Sequence, residues 1–238
     1  MCDGWTGPTR LSIINFIVHC KGHTIFLKSV DASNKIKDHQ YIYGLLKDVL
    51  KEVGEKNVVQ IVTDNGSAFV KAGKKLMIKY SLFWIPCAAH CIDLVFEDIG
   101  KKDNVASVIH DARAVTNFIY NHGWLLSQMR EVCKGEIVWS GATRFATNHI
   151  ALDSLLKKKT NLKQLFTSDA WAANRLIQTA NGKRIERRIL DLEFWDNVAS
   201  VVKIYESLYQ VLRLVDTEVV PTMPIMYELM RVMKDAVK

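Results

Sequence analysis

Two aspartates stand where acids do chemistry. Asp64 lies in Gln60-Ile61-Val62-Thr63-Asp64-Asn65-Gly66-Ser67, where an apolar run gives way to an Asn-Gly turn. Asp3, in Cys2-Asp3-Gly4-Trp5-Thr6, occupies the same kind of place earlier in the chain. In α/β sheets ligands bind at the carboxyl ends of strands, because side chains there leave the core and face the crevice before the next helix. Two carboxylates held side by side repel unless something positive lies between them. A pair of Mg²⁺ ions about 3.5 to 4 Å apart is the usual solution in phosphoryl-transfer enzymes. Taken singly, Asp64-Asn65-Gly66 is a common turn and Asp3 a common loop acid. Their chemistry depends on a fold that brings them together.

The elements that would do so can be read from pattern. Leu11 to Cys20 and Thr24 to Val30 form two strands of a hairpin turning at Lys21-Gly22-His23. Asp3 to Thr6 is the tail of an abbreviated first strand, joined to them through Gly7-Pro8. Tyr41 to Val53 places Leu45, Leu46, Val49, Leu50 and Val53 on one helical face, and Gly54 closes it. Val58 to Thr63 is predicted to be a strand buried on both faces. Ala68 to Tyr80 is helical, Leu82 to Ile85 is a short strand ending at Pro86, and Ala88 to Ile99 is helical. Three strands able to form an antiparallel meander, then two parallel additions through helices, describe an α/β, ribonuclease H-like mixed sheet among a few alternatives. In that order the first and fourth strands are parallel neighbours, and Asp3 and Asp64 lie side by side.

From Val105 onward the pattern is all-helical: Val105 to Tyr120, Trp124 to Cys133, Asn148 to Phe166, Trp171 to Ala180, Glu193 to Val215 and Met223 to Val237. Breaks are expected at Gly135, Gly141, Asn181-Gly182 and Pro221. Trp124, Trp139, Trp171 and Trp195 fall at helical repeats and are expected in the core. The chain thus divides into a core over 1–103 and a helical domain over 104–238.

Composition bounds the rest. With 238 residues, 49% hydrophobic and 24% charged, the chain can bury a sizeable core. No apolar run is long enough for a membrane span, and the first residues do not read as a secretory signal. Five scattered cysteines fit reduced thiols better than a disulfide framework. The net charge of +7 is concentrated between residues 151 and 190. Lys157, Lys158, Lys159, Lys163, Arg175, Lys183, Arg184, Arg187 and Arg188 there face only Asp153, Asp169 and Glu186. Such clustering suits a phosphate-binding face, although a solvated helical surface produces the same count.

Several stretches carry a family resemblance. Cys2-Asp3-Gly4-Trp5-Thr6, Phe26-Leu27-Lys28-Ser29-Val30-Asp31-Ala32-Ser33, Val62-Thr63-Asp64-Asn65 and Pro86-Cys87-Ala88-Ala89-His90-Cys91-Ile92-Asp93-Leu94 resemble the catalytic region of hAT-superfamily DNA transposases. So do Asn117-Phe118-Ile119-Tyr120-Asn121-His122 and Thr143-Arg144-Phe145-Ala146-Thr147-Asn148. The similarity is closest to the plant branch and runs almost from end to end. It implies a ribonuclease H-like fold with a helical insertion domain, and cut-and-paste strand transfer in the nucleus at transposon DNA ends. It also implies Mg²⁺ or Mn²⁺ held by an Asp, Asp, Glu triad, and a homo-oligomer formed through a C-terminal segment.

Asp3 and Asp64 match the first two acids of that triad. The third acid, in a Ser-Glu-Arg segment of the family, and the family's N-terminal BED-type zinc finger have no counterpart here. Glu97 or Asp98 could substitute in a simpler ribonuclease H arrangement. Cys87 and His90 form the family's Cys-x-x-His element near the site. They could share a metal, but a structural zinc wants four ligands, and core packing of Cys87 with His90 near the acids or a DNA phosphate is favoured. Arg144 matches an Arg-Trp motif in which Phe145 replaces Trp. Phe145 would either stack on a base or pack in the insertion domain, while Arg144 could pair a phosphate. Three readings follow: a transposase catalytic core, a derived DNA- or protein-binding regulator without catalysis, and a nuclease using Glu97 or Asp98.

Overall fold

The computed structural model describes residues 1–7, 9–138, 146–216 and 225–237. It comprises two compact units, Met1–Cys91 and Ile92–Lys238. The division falls inside the helix that follows the last strand, ahead of the 103/104 boundary expected from sequence.

In the first unit the strands are β1 (Cys2–Thr6), β2 (Ser12–Cys20), β3 (His23–Asp31), β4 (Gln60–Thr63) and β5 (Phe83–Pro86). They form one sheet in the order β3-β2-β1-β4-β5. β1–β2 and β2–β3 pair antiparallel, whereas β1–β4 and β4–β5 pair parallel. This is the mixed sheet expected from the order of elements. The β2–β3 turn needs two residues at positive φ, supplied by Lys21 at 50° and Gly22 at 81°.

Helix α1 (His39–Val53) begins at Asp38, whose carboxylate accepts from the N–H groups of Gln40 and Tyr41. It ends at Gly54, where φ is 94°. Helix α2 (Ser67–Lys79) packs beside it. The core beneath them joins Ile14, Phe16, Ile61, Ile42, Leu46, Leu50 and Leu76. β4 does not bury both faces. Ile61 and Thr63 are buried, but Val59, just before the strand, is 73% exposed. Helices lie against alternate residues of this strand, so continuous apolarity overstated its burial.

α3 (Ala88–Gly100) crosses the division, and the second unit continues with α4 (Asp103–Tyr120), α5 (Gly123–Cys133), α6 (Thr147–Lys157), α7 (Lys159–Phe166), α8 (Asp169–Ala172), α9 (Ala180–Leu190), α10 (Leu192–Val215) and α11 (Met226–Val237). Trp171 and Trp195 are buried as expected, at 1% and 0% exposure, whereas Trp124 is 38% exposed. Trp139, Gly141 and Pro221 lie outside the described residues.

Two helix boundaries differ from the sequence pattern. The run Asn148 to Phe166 is two helices that meet at Lys158. Trp171 to Ala180 is not one helix: α8 is followed by a 3₁₀ turn at Arg175–Gln178, and α9 starts at Ala180. Asn181-Gly182 therefore sits inside a helix. Thr179 caps it by accepting from the Gly182 N–H, and a Cβ on Gly182 would lie 2.0 Å from the Leu176 carbonyl oxygen. Glycine serves a close backbone approach there, not a chain break. Among the described residues no helix is long and apolar enough to cross a membrane.

Candidate metal and nucleic-acid site

Cys2 on β1 is the register partner of Thr63, the last residue of the parallel neighbour β4, so Asp3 within β1 and Asp64 just past β4 each follow one residue later. Asp64 reaches across this pairing. Its Oδ2 accepts from the Gly4 main-chain N–H at 2.9 Å. A Cβ on Gly4 would lie 3.6 Å from that oxygen and 3.3 Å from the Phe69 ring of α2, so glycine keeps the approach open. Thr63 braces the exit of β4, donating its hydroxyl to the Asp64 carbonyl at 2.9 Å and accepting from Trp84 Nε1 at 3.0 Å. The indole is close enough to α2 that a Cβ on Gly73 would collide with it.

Under the acids lies the Cys2 thiol. Burial pushes it up to about 12, the Met1 amino group opposes this, and the Asp64 and Asp3 carboxylates push it further the same way. Cys2 is therefore a neutral packing group. Asp3 and Asp64 each follow one residue after the paired positions Cys2 and Thr63 of neighbouring strands.

Cys87 sits at the same sheet end, its N–H bonded to the Thr63 carbonyl at 2.7 Å. His90 is half-buried in the first turn of α3. The Cys91 thiol is raised, first by burial and then by Cys87. Among the described residues no group of three His, Cys, Asp or Glu side chains is placed to hold a metal ion. A cation held by Asp3 and Asp64 would meet a pair of carboxylates. That suits Mg²⁺, which keeps several waters and is bound through one or two carboxylates plus substrate phosphates. Closed zinc coordination needs four ligands, which Cys87, His90 and Cys91 do not supply. In the second unit, Asp98 pairs with Lys101 at 3.0 Å, and Glu97 lines a small polar cavity with Asp93, Arg113 and Asn148.

The basic residues separate by what they touch. Lys157 pairs with Asp153 at 2.7 Å, Lys158 donates to the Cys133 carbonyl at the end of α5, and Lys159 lies over the Trp195 ring. Arg188 pairs with Asp111 at 3.1 Å and lies over Phe194. Lys183, Arg184 and Arg187 are exposed on α9, whose opposite face buries Ile185 and Ile189. Lys183, Arg184 and Arg187 remain presented to solvent, while four other members of the cluster also hold the helices in place. Arg144 and Phe145 lie outside the described residues.

Sequence reasoning missed Gly4, whose contribution is a main-chain N–H. A glycine directly after an acid, inside β1, was the available signal.

Residues 1–115 match a family described as a domain of unknown function (DUF659), a domain found in hAT-like transposase families. No curated protein matches the chain.

Proposed function

We propose that the chain is the catalytic-core region of a hAT-type DNA transposase, acting on DNA in the nucleus. The observation that carries this reading is the placement of Asp3 on β1 and of Asp64 directly after β4, its parallel neighbour in a β3-β2-β1-β4-β5 sheet. The match of residues 1–115 to a domain found in hAT-like transposase families supports it. Asp3 and Asp64 would hold a divalent cation. Bound there, Mg²⁺ would polarise a phosphodiester and lower the pKa of an attacking water.

The chain's own residues orient and balance charge. The Gly4 N–H holds one oxygen of Asp64, Thr63 and Trp84 brace the strand exit, and the basic face of α9 offers cations to phosphate. As a separate chain it grips DNA without cutting it, since this pair matches two of the three acids that the resemblance implies.

The test is incubation of the purified chain with labelled duplex and single-stranded DNA in Mg²⁺ or Mn²⁺, alongside Asp64→Asn. Binding that weakens steeply with salt, with no cleavage, is the expected outcome. Cleavage abolished by Asp64→Asn would establish a complete active site and overturn the non-cutting part of the reading. Absence of DNA binding by the native chain would overturn the whole of it.

A further inference from the structure

The C-terminal half of α4 and the first turn of α9 enclose a groove of about 450 Å³ that no part of the carboxylate site uses. Among the described residues no carboxylate lines it. The other end of the same helix pair is different: Asp111, Asp191 and Glu193 line it, and Arg188 is held by Asp111. Charge is therefore segregated along the α4–α9 seam.

The groove's polar lining is two arginines, three asparagines and two histidines. Arg184 gives one guanidinium N–H to Asn181 Oδ1 at 2.8 Å, which steadies the fork and leaves its other four N–H groups to bind elsewhere. Asn117 and Asn121 stand one turn apart on α4, about 6 Å along its axis. Both are exposed. His122 donates Nδ1–H to the Phe118 carbonyl at 2.7 Å, which fixes its ring. Arg113 forms part of the wall, its guanidinium bonded to Asn148 Oδ1 at 2.8 Å.

We propose that this groove binds the sugar-phosphate backbone of a DNA strand, with the Arg184 fork on a phosphate and the amides of Asn117, Asn121 and Asn181 donating beside it. The assignment rests on the DNA-binding reading above and gives that reading a location. A planar guanidinium matches phosphate oxygens in pairs, and amide N–H groups are common partners of the DNA backbone. With no acid among the described lining residues, an anionic strand meets no carboxylate from them.

The test is fluorescence anisotropy of an end-labelled duplex of arbitrary sequence with the full chain, titrated at several salt concentrations. Three variants are compared with the native protein: Arg184→Gln combined with Asn117→Ala, Arg184→Lys, and Lys51→Gln. Lys51, exposed on α1, provides the same change in net charge as the double variant. The double variant should bind at least tenfold more weakly and lose about 0.9 from the slope of log K against log salt. Arg184→Lys should fall between it and the native chain, because charge returns without the fork, which also shows that the helix tolerates substitution. Lys51→Gln should stay within twofold. A double variant indistinguishable from Lys51→Gln, while the native chain binds, would overturn the groove and leave the DNA reading standing. No binding by the native chain would overturn both. Displacement of DNA by poly-glutamate in the native chain but not in the double variant would assign the groove to acidic peptides instead.

Discussion

At Gly4, a single added carbon would crowd the Phe69 ring at 3.3 Å while reaching only ordinary contact with Asp64 Oδ2 at 3.6 Å, and the main-chain N–H beside it holds the acid. His149 shows the opposite case, a polar ring kept inside. It is 2% exposed and packs with Phe96, Tyr205 and Tyr209, while Nε2 lies 3.4 Å from Glu206. Its pKa is lowered by burial. Glu206 and Asp153 oppose this and Lys157 adds to it, while Nδ1 is buried without a hydrogen-bond partner. The sign follows from linkage. An unfolded histidine titrates near 6.5, so below that pH the unfolded state takes up a proton that the folded state refuses. Stability contributed by this group is present above about pH 6.5 and is lost as pH falls toward the lowered folded value. Urea midpoints should therefore drop between pH 7.5 and pH 5.5, and His149→Gln should flatten that difference even though it lowers both midpoints. An unchanged pH dependence in the variant would mean that another group carries it. The place of Asp64 just past β4 was legible because a carboxylate after an apolar run has a positional meaning. His149 was not, because its burial comes from rings on other helices.

Among the elements, strand order was legible and helix ends were less so. Hairpin signals and two strand–helix–strand units leave few arrangements open, and the parallel pairing of β1 with β4 follows from them. The start of α9 was misread because Asn-Gly usually marks a turn. Here the neighbouring 3₁₀ turn demands glycine inside the helix, a tertiary requirement that no local propensity records. Two substitutions separate these effects. Thr179→Ala removes a cap and should cost about 1 kcal/mol. Gly182→Ala drives a methyl group into the Leu176 carbonyl and should cost about 1–3 kcal/mol despite alanine's better helix propensity. Chemical denaturation of both variants reads this directly. A Gly182→Ala protein more stable than the native one would show that the close approach is not real.

For the molecule as a whole, the charge of +7 is not one uniform field. Lys157 and Arg188 are held in ion pairs, Lys158 secures a helix end, and the exposed cations of α9 stand apart from the acid-lined end of the α4–α9 seam. Composition revealed the excess but not its partition, which depends on which side chains the helices bring into reach. The central claim is that Asp3 and Asp64 act together on a divalent cation, and Mn²⁺ titration followed by electron paramagnetic resonance tests it most directly. The native chain should show a saturable site that Asp3→Asn and Asp64→Asn each abolish. Gly4→Val should weaken the site about tenfold by displacing Asp64, with circular dichroism unchanged in all three variants. Mn²⁺ binding equal in the native chain and in both Asp→Asn variants would contradict the account.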